Sequence, residues 1–157
     1  MHENEELITS FYRAFAASDH QSMAAAYNDA ATFSDPVFPR LTADEARAMW
    51  RMFCTGESGL QVTFQEVIAD ATKGSARWDA RYNFPKTGRS VHNQIAASFA
   101  FRDGKIVEHK DDFDFYKWSR MALGPVGVAL GWSPIVKNQV RQQAAAQLAR
   151  FRAEENS

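Results

Sequence analysis

Cysteine occurs once in the 157 residues, at Cys54, so no internal disulfide framework is available to hold this chain. No apolar run is long enough to cross a bilayer. The chain opens Met-His-Glu-Asn-Glu-Glu, without an apolar signal core, and with the lone cysteine this favours a reducing cytoplasm. Neither sign of charge dominates: 18 Lys and Arg face 19 Asp and Glu. That balance, with an acidic body, argues against nucleic acid as a partner. His92 and His109 lack metal-ligand spacing and have no Cys partner, so no metal site is expected. Internal repeats and low-complexity segments are also missing.

What remains is one domain of ordinary size with an uneven charge distribution. Residues up to Tyr116 carry 12 basic and 17 acidic side chains, whereas Lys117 onward carries 6 and 2. Ile8, Phe11, Tyr12 and Phe15 recur at one-face helical spacing behind Glu3, Glu5 and Glu6, which suit the positive end of a helix dipole. Asp19 reads as the N-cap of a second short helix through Met23 and Tyr27. Ala31 to Asp35 reads as a short strand ending at Asp35-Pro36. Thr42-Ala43-Asp44-Glu45 has capping-box spacing before a third helix containing Ala46, Met49, Trp50 and Phe53.

After Gly59 the period becomes two. Val62, Phe64, Glu66 and Ile68 alternate with polar partners, a turn is expected around Lys73-Gly74, and a strand runs from Ser75 to Phe84. Another turn at Pro85-Lys86-Thr87-Gly88 leads to a long strand through Ile95, Phe99 and Phe101. Asp103-Gly104 is a hairpin signal, after which Lys105 to Tyr116 completes an antiparallel meander. Helices followed by a curled sheet make the class α+β. The tail differs: Leu123 to Trp132 is apolar and punctuated by glycine, then Ser133-Pro134 opens a helix reaching about Glu154. Its stripe of Val136, Val140, Ala144, Leu148 and Phe151 is expected to pack on the body or on a second subunit, in preference to a membrane surface. The glycine-punctuated segment is also placed to lid a pocket mouth.

Charges interrupt the strands where sheet core would carry aliphatic residues, at Arg77-Trp78-Asp79 and at Asp111-Asp112-Phe113-Asp114. Side chains two apart share a face, so Arg77 and Asp79 project together and Trp78, Ala80 and Tyr82 project the other way. Carboxylates on a helix-covered face must be paired, hydrogen-bonded or used for chemistry. Two carboxylates in one low-dielectric site cannot both ionise cheaply, so a pair held by Arg77 would supply one acid and one base. The bland alternative is an exposed Arg77–Asp79 ion pair worth at most about 1 kcal/mol. Asp35 before Pro36 likewise reads as turn chemistry or as a catalytic acid. Asp112 and Asp114 alternate with Asp111 and belong to a solvated edge.

Two helices, a strand ending in Asp-Pro, a capped helix and a four-strand meander resemble the nuclear transport factor 2-like superfamily over about residues 3 to 116. That superfamily includes SnoaL-like polyketide cyclases, ketosteroid isomerases and limonene epoxide hydrolases. The most specific resemblance is to the hydrolases, through Arg77-Trp78-Asp79, Gly104-Lys105-Ile106 and Asp111-Asp112-Phe113-Asp114. It implies a cone-shaped, curved sheet wrapped around the N-terminal helices, with residues 117–157 an extension carrying an extra helix. It also implies Asp111 as the base that activates water, Asp79 as the acid and Arg77 as the bridge, a face turned inward, and no cofactor. The hydrolases' water-holding Tyr and Asn fall at Phe33 and Asp35. Asp35-Pro36-Val37 is similar to the ketosteroid isomerase segment bearing the proton-shuttling Asp, while that family's oxyanion donors fall at Phe11 and Ala97, with Tyr12 one residue away.

An apolar small molecule is therefore the expected ligand, contacted by Phe11, Tyr12, Phe15, Phe33, Trp50, Phe53, Ala97, Phe99, His109 and Phe113. His109 shares the Asp111 face. A homodimer is expected through the outer sheet face, where Trp78 and Tyr82 would point. Three functions stay open: epoxide-hydrolase-like acid–base chemistry, proton transfer beside a carbonyl through Asp35, and non-catalytic ligand carriage.

Overall fold

The computed structural model describes residues 1–156. Helix α1, Glu3–Ala16, starts where His2 Nδ1 accepts the Asn4 N–H at 3.0 Å and buries Ile8, Phe11, Tyr12 and Phe15 on one face. Asp19 caps α2, His20–Ala25, by accepting from Ser22 N. This helix stops short of Tyr27, which instead opens β1, Tyr27–Ser34. A two-residue strand β2, Leu41–Thr42, leads into α3, Ala43–Thr55. The capping box at its start is complete, with Glu45 N to Thr42 Oγ1 at 3.3 Å and Thr42 N to Glu45 Oε1 at 3.0 Å.

The meander follows as β3 (Gln61–Ala69), β4 (Lys73–Asn83), β5 (Ser90–Arg102) and β6 (Lys105–Asp112). The first turn precedes Lys73 rather than including it: Asp70 Oδ1 accepts from Thr72 N and Lys73 N. Gly74 lies within β4, where a Cβ would sit 2.8 Å from Ile8 Cδ1, so its smallness lets α1 press onto the strand. Asp103 and Gly104 both take positive φ, 55° and 74°, as a two-residue hairpin with right-handed strand twist requires.

The six strands form one sheet in the order β2-β1-β6-β5-β4-β3. It is mixed, because β1 runs parallel to β6 and the remaining pairs are antiparallel. The α+β class and the helix-filled curved sheet are as expected. Phe11, Tyr12 and Phe15 of α1 and Trp50 of α3 meet Phe33, Trp78, Phe99 and Ile106 of the sheet in one core.

Beyond β6 the chain departs from expectation. Asp114 is not strand edge but the N-cap of α4, Phe115–Leu123, accepting from Lys117 N at 3.0 Å. The extension holds three helices, adding α5, Pro125–Leu130, and α6, Pro134–Glu155. Tyr116 lies within the first turn of α4. The tail packs on the body. Trp118 and Ala122 join Val91 and Phe115 in a second cluster, Leu148 enters the main core, and Arg51 pairs with Glu155 and covers the Phe151 ring.

Candidate active site

Register decides which charges face the helices. Opposite residues in an antiparallel ladder share a face, and Trp78 pairs with Ile95, Ala76 with Ala97, Ala97 with Asp111 and Phe99 with His109. Trp78, Ile95, Ala97, Asp111 and His109 are all buried, so this face is the inner one. Arg77 and Asp79 are on the other side, together with Arg81 and His92. Arg77 pairs with Glu66 at 3.1 Å, both side chains about 60 % exposed (61 % and 62 %), and Asp79 Oδ2 accepts from His92 Nε2 at 2.7 Å. The expected Arg77–Asp79–Asp111 triad does not form, because β4 turns its apolar parity, Ala76, Trp78 and Ala80, into the core. For the same reason Trp78 and Tyr82 do not point to an outer dimer face.

Asp111 instead ends a buried polar chain. His109 Nε2 lies 2.9 Å from Asp111 Oδ1, His109 Nδ1 lies 2.7 Å from the Tyr27 hydroxyl, and Trp50 Nε1 donates to that hydroxyl at 2.9 Å. Trp78 Nε1 reaches the same Asp111 Oδ1 at 3.4 Å. Indole N–H groups only donate, which sets the polarity. Trp50 donates to Tyr27, Tyr27 donates to His109 Nδ1, and His109 Nε2–H donates to Asp111. The reverse tautomer would leave the Tyr27 proton without an acceptor. Both donors arrive at Oδ1, so Oδ2 is the oxygen left to exchange a proton.

Aromatic rings enclose this chain. Phe99, Phe33, Phe11 and Trp50 place their centroids 4.4, 5.0, 5.7 and 6.0 Å from the His109 ring. Tyr12 stacks on Phe64 and tilts against Trp78, with its hydroxyl buried and unpartnered. A buried hydroxyl without a partner costs about 1–3 kcal/mol, so Tyr12 O–H is a donor that a ligand oxygen would satisfy. Burial, then the nearby Asp111 charge, pushes the Tyr12 pKa well above its usual value and keeps it a donor.

Asp35 closes the site from the end of β1. Its Oδ1 accepts from Val37 N at 2.7 Å and Phe38 N at 2.6 Å, the turn role expected of Asp before Pro. Burial pushes its carboxyl up to about 7, opposed by the Phe38 bond and reinforced by the Asp111 charge, with Arg141 a weaker opposing influence. The turn and an unusual acid are thus one residue. Tyr82 and Trp118 join here through a 2.8 Å bond, and Arg141 Nε donates to Pro36 O, so α4 and α6 are tied to this end of the body. A surface groove of about 390 Å³ lies along the β4–β5 edge, lined by Arg81, Tyr82, Val91, His92 and Met121, and none of the inner-face acids lines it.

The structure therefore brings together Asp111, His109, Tyr12, Phe11, Phe15, Phe33, Trp50, Ala97 and Phe99 on the inner side, with the half-buried Asp35 within electrostatic reach of Asp111. Phe113 is half-buried between the two clusters, while Phe53 is exposed at the outer surface of α3. Sequence reasoning missed Tyr27, assigned to a helix, and Trp78, Tyr82 and Trp118. The alternation of Ala76, Trp78 and Ala80 was the signal for two of them. Among the described residues, no three His, Cys, Asp or Glu side chains are placed to hold a metal ion, and no helix is long and apolar enough to cross a membrane.

The model of the SnoaL-like domain family matches residues 8–109. No curated protein sequence matches this one. Solved structures do. An epoxide hydrolase of the LEH-like type from M. tuberculosis superposes with a TM-score of 0.65 at 21 % identity, over 81 % of this chain and 95 % of that one. A putative polyketide cyclase from Xanthomonas campestris pv. campestris gives 0.63 at 18 %, over 76 % and 96 %. A protein with a ketosteroid isomerase-like fold from Catenulispora acidiphila, in complex with trimethylamine, gives 0.66 at 11 %, over 82 % and 98 %. At these identities the likeness is one of fold.

Proposed function

From the premise that the chain belongs to the SnoaL-like domain family, within the nuclear transport factor 2-like superfamily, we propose that it catalyses proton transfer beside a carbonyl in a small, largely apolar molecule. The observation that carries this reading is the buried, unpartnered Tyr12 hydroxyl within electrostatic reach of Asp111. Asp111 Oδ2 takes the proton from carbon, and the electron pair moves to the carbonyl oxygen. Tyr12 O–H then holds that oxygen, so the negative charge leaves Asp111 as it appears on substrate. The Tyr27–His109 chain orients Asp111 and keeps its other oxygen occupied. Asp35, poised near neutrality, gives its proton to a second carbon of the enolate, which completes an isomerisation, and solvent then takes the proton from Asp111 and restores that of Asp35.

Epoxide hydration fits less well. Its water would need polar anchors, and the His109 ring beside Asp111 is surrounded by Phe33, Phe11 and Phe99, which offer none.

The test is deuterium incorporation from heavy water into a panel of apolar ketones and polyketide-like carbonyl compounds, run beside diol formation from terpene and styrene-type epoxides. Wild type is expected to exchange, Asp111→Asn and Asp35→Asn to lose about 10²–10⁴-fold, and Asp79→Asn to match wild type. Diol formation without exchange would move the assignment to hydration. Loss with Asp79→Asn equal to that with Asp111→Asn, or no turnover in either panel, would overturn the interior acid–base assignment.

A further inference from the structure

The segment from Ala122 to Val136 contains one polar side chain, Ser133, yet much of it lies at the surface. Within α5 only Gly127 turns inward, and Gly131 follows it just after the helix. A Cβ at either would lie about 2 Å from Ser119 (1.9 Å at Gly127, 2.0 Å at Gly131). The apolar side chains are consequently held outward. Val126, Val128 and Leu130 are half or more exposed, and Trp132 and Ile135 are each 71 % exposed. Five large apolar side chains within ten residues form a patch of the kind that marks an interaction surface.

Charge indicates what covers it. No Asp or Glu occurs from Phe115 to Ala153. Around the patch, Arg89 donates to Met121 O and touches the Gly124 position, and Lys117 donates to Gln94 Oε1. Arg120 lies over the Tyr116 ring at 5.0 Å, and Lys137 over Phe115 at 5.6 Å. Tyr116 in turn donates to Val128 O, which ties this group to α5. All four cations are engaged by neutral acceptors or π faces, and none is in an ion pair among the described residues.

We infer that α5 and the start of α6 dock this protein on an anionic lipid surface, Val126, Leu130, Trp132 and Ile135 entering the headgroup boundary while the four cations meet lipid phosphates. An exposed Trp with aliphatic neighbours suits that boundary, and each nearby cation adds attraction to an anionic leaflet. A second copy on the same patch would bring two sets of uncompensated cations together, which disfavours it. The inference is independent of the reaction proposed above.

Full-length protein sedimented with phosphatidylcholine vesicles, with and without phosphatidylglycerol, tests it. Binding is expected only to the anionic vesicles, to weaken as salt rises, and to fall about tenfold or more in Leu130→Ser/Trp132→Ser and in Lys117→Gln/Arg120→Gln. Trp50, Trp78 and Trp118 are buried, so a blue shift of wild-type emission on vesicles reports Trp132. Both variants alter surface side chains, and an unchanged thermal melt confirms their fold. Absence of vesicle binding, or equal binding to neutral vesicles, overturns the inference. So does a wild-type dimer in sedimentation equilibrium that Leu130→Ser/Trp132→Ser converts to monomer.

Discussion

Asp35 shows how one side chain serves a turn and a reaction. Two backbone N–H groups hold its Oδ1, yet burial keeps its carboxyl protonated up to about 7. An unfolded Asp releases its proton near 4, on the order of 3.9. Between about 4 and 7 the native state therefore binds more protons than the unfolded chain, and stability falls as pH rises through that window. Asp35→Asn is expected to flatten this slope, measured as denaturation midpoint against pH, and to raise the midpoint at pH values above about 7 relative to wild type. Tyr12→Phe separates function from folding at the same scale. Removing an unsatisfied buried hydroxyl is expected to change stability by no more than about 1 kcal/mol, or to increase it, while deuterium exchange falls roughly 10²-fold. A loss of several kcal/mol in urea denaturation would mean that the hydroxyl has a structural partner.

At the scale of elements, the C-terminal helices depend on two local devices. Asp114 caps α4, and Asp114→Ala is expected to cost about 1 kcal/mol in urea denaturation. The α4–α5 contact depends on glycine. Gly127→Ala would drive a methyl group into the Ser119 carbonyl, 1.9 Å away, and no rotamer relieves a clash with backbone. An expected cost of roughly 1–3 kcal/mol, with faster amide exchange in α4 and α5 than in α1, would show that α5 is unseated. The capping signals at Thr42, Asp19 and Ser133 were legible because each is local to four residues of chain. Asp114 was misread as strand edge because it shares the parity of Asp112, alternating with Asp111 and Phe113, although the hydrogen bond from Lys117 N makes it a cap.

For the whole molecule, the extension closes the cone. Trp118 bonds to Tyr82, Arg141 to Pro36, and Val91 is packed beneath Phe115 and Ala122. Deleting residues 117–157 is expected to lower the urea midpoint and the m-value, since it exposes Val91, Tyr82 and Phe113 in the native state. It should also weaken the pH slope assigned to Asp35, whose shift arises first from burial. An unchanged midpoint would show that the extension is an independent appendage.

The amino-acid pattern by itself determined the class, the order of helices and strands through β6 apart from the two-residue β2, the hairpin at Asp103-Gly104 and the nearness of His109 to Asp111, all consequences of periodicity or of contacts within a few residues. Only the tertiary structure decided which face of β4 lies inward. A strand's two faces differ by one residue of phase, and the side that is buried depends on the registers of Trp78 with Ile95 and Ala97 with Asp111. That choice moved Arg77 and Asp79 out of the candidate site and brought in Trp78. The joining of Tyr27 to His109, 82 positions apart, and the perturbation of Asp35 by Asp111 and Arg141 likewise arise from long-range packing, for which no local sequence signal exists.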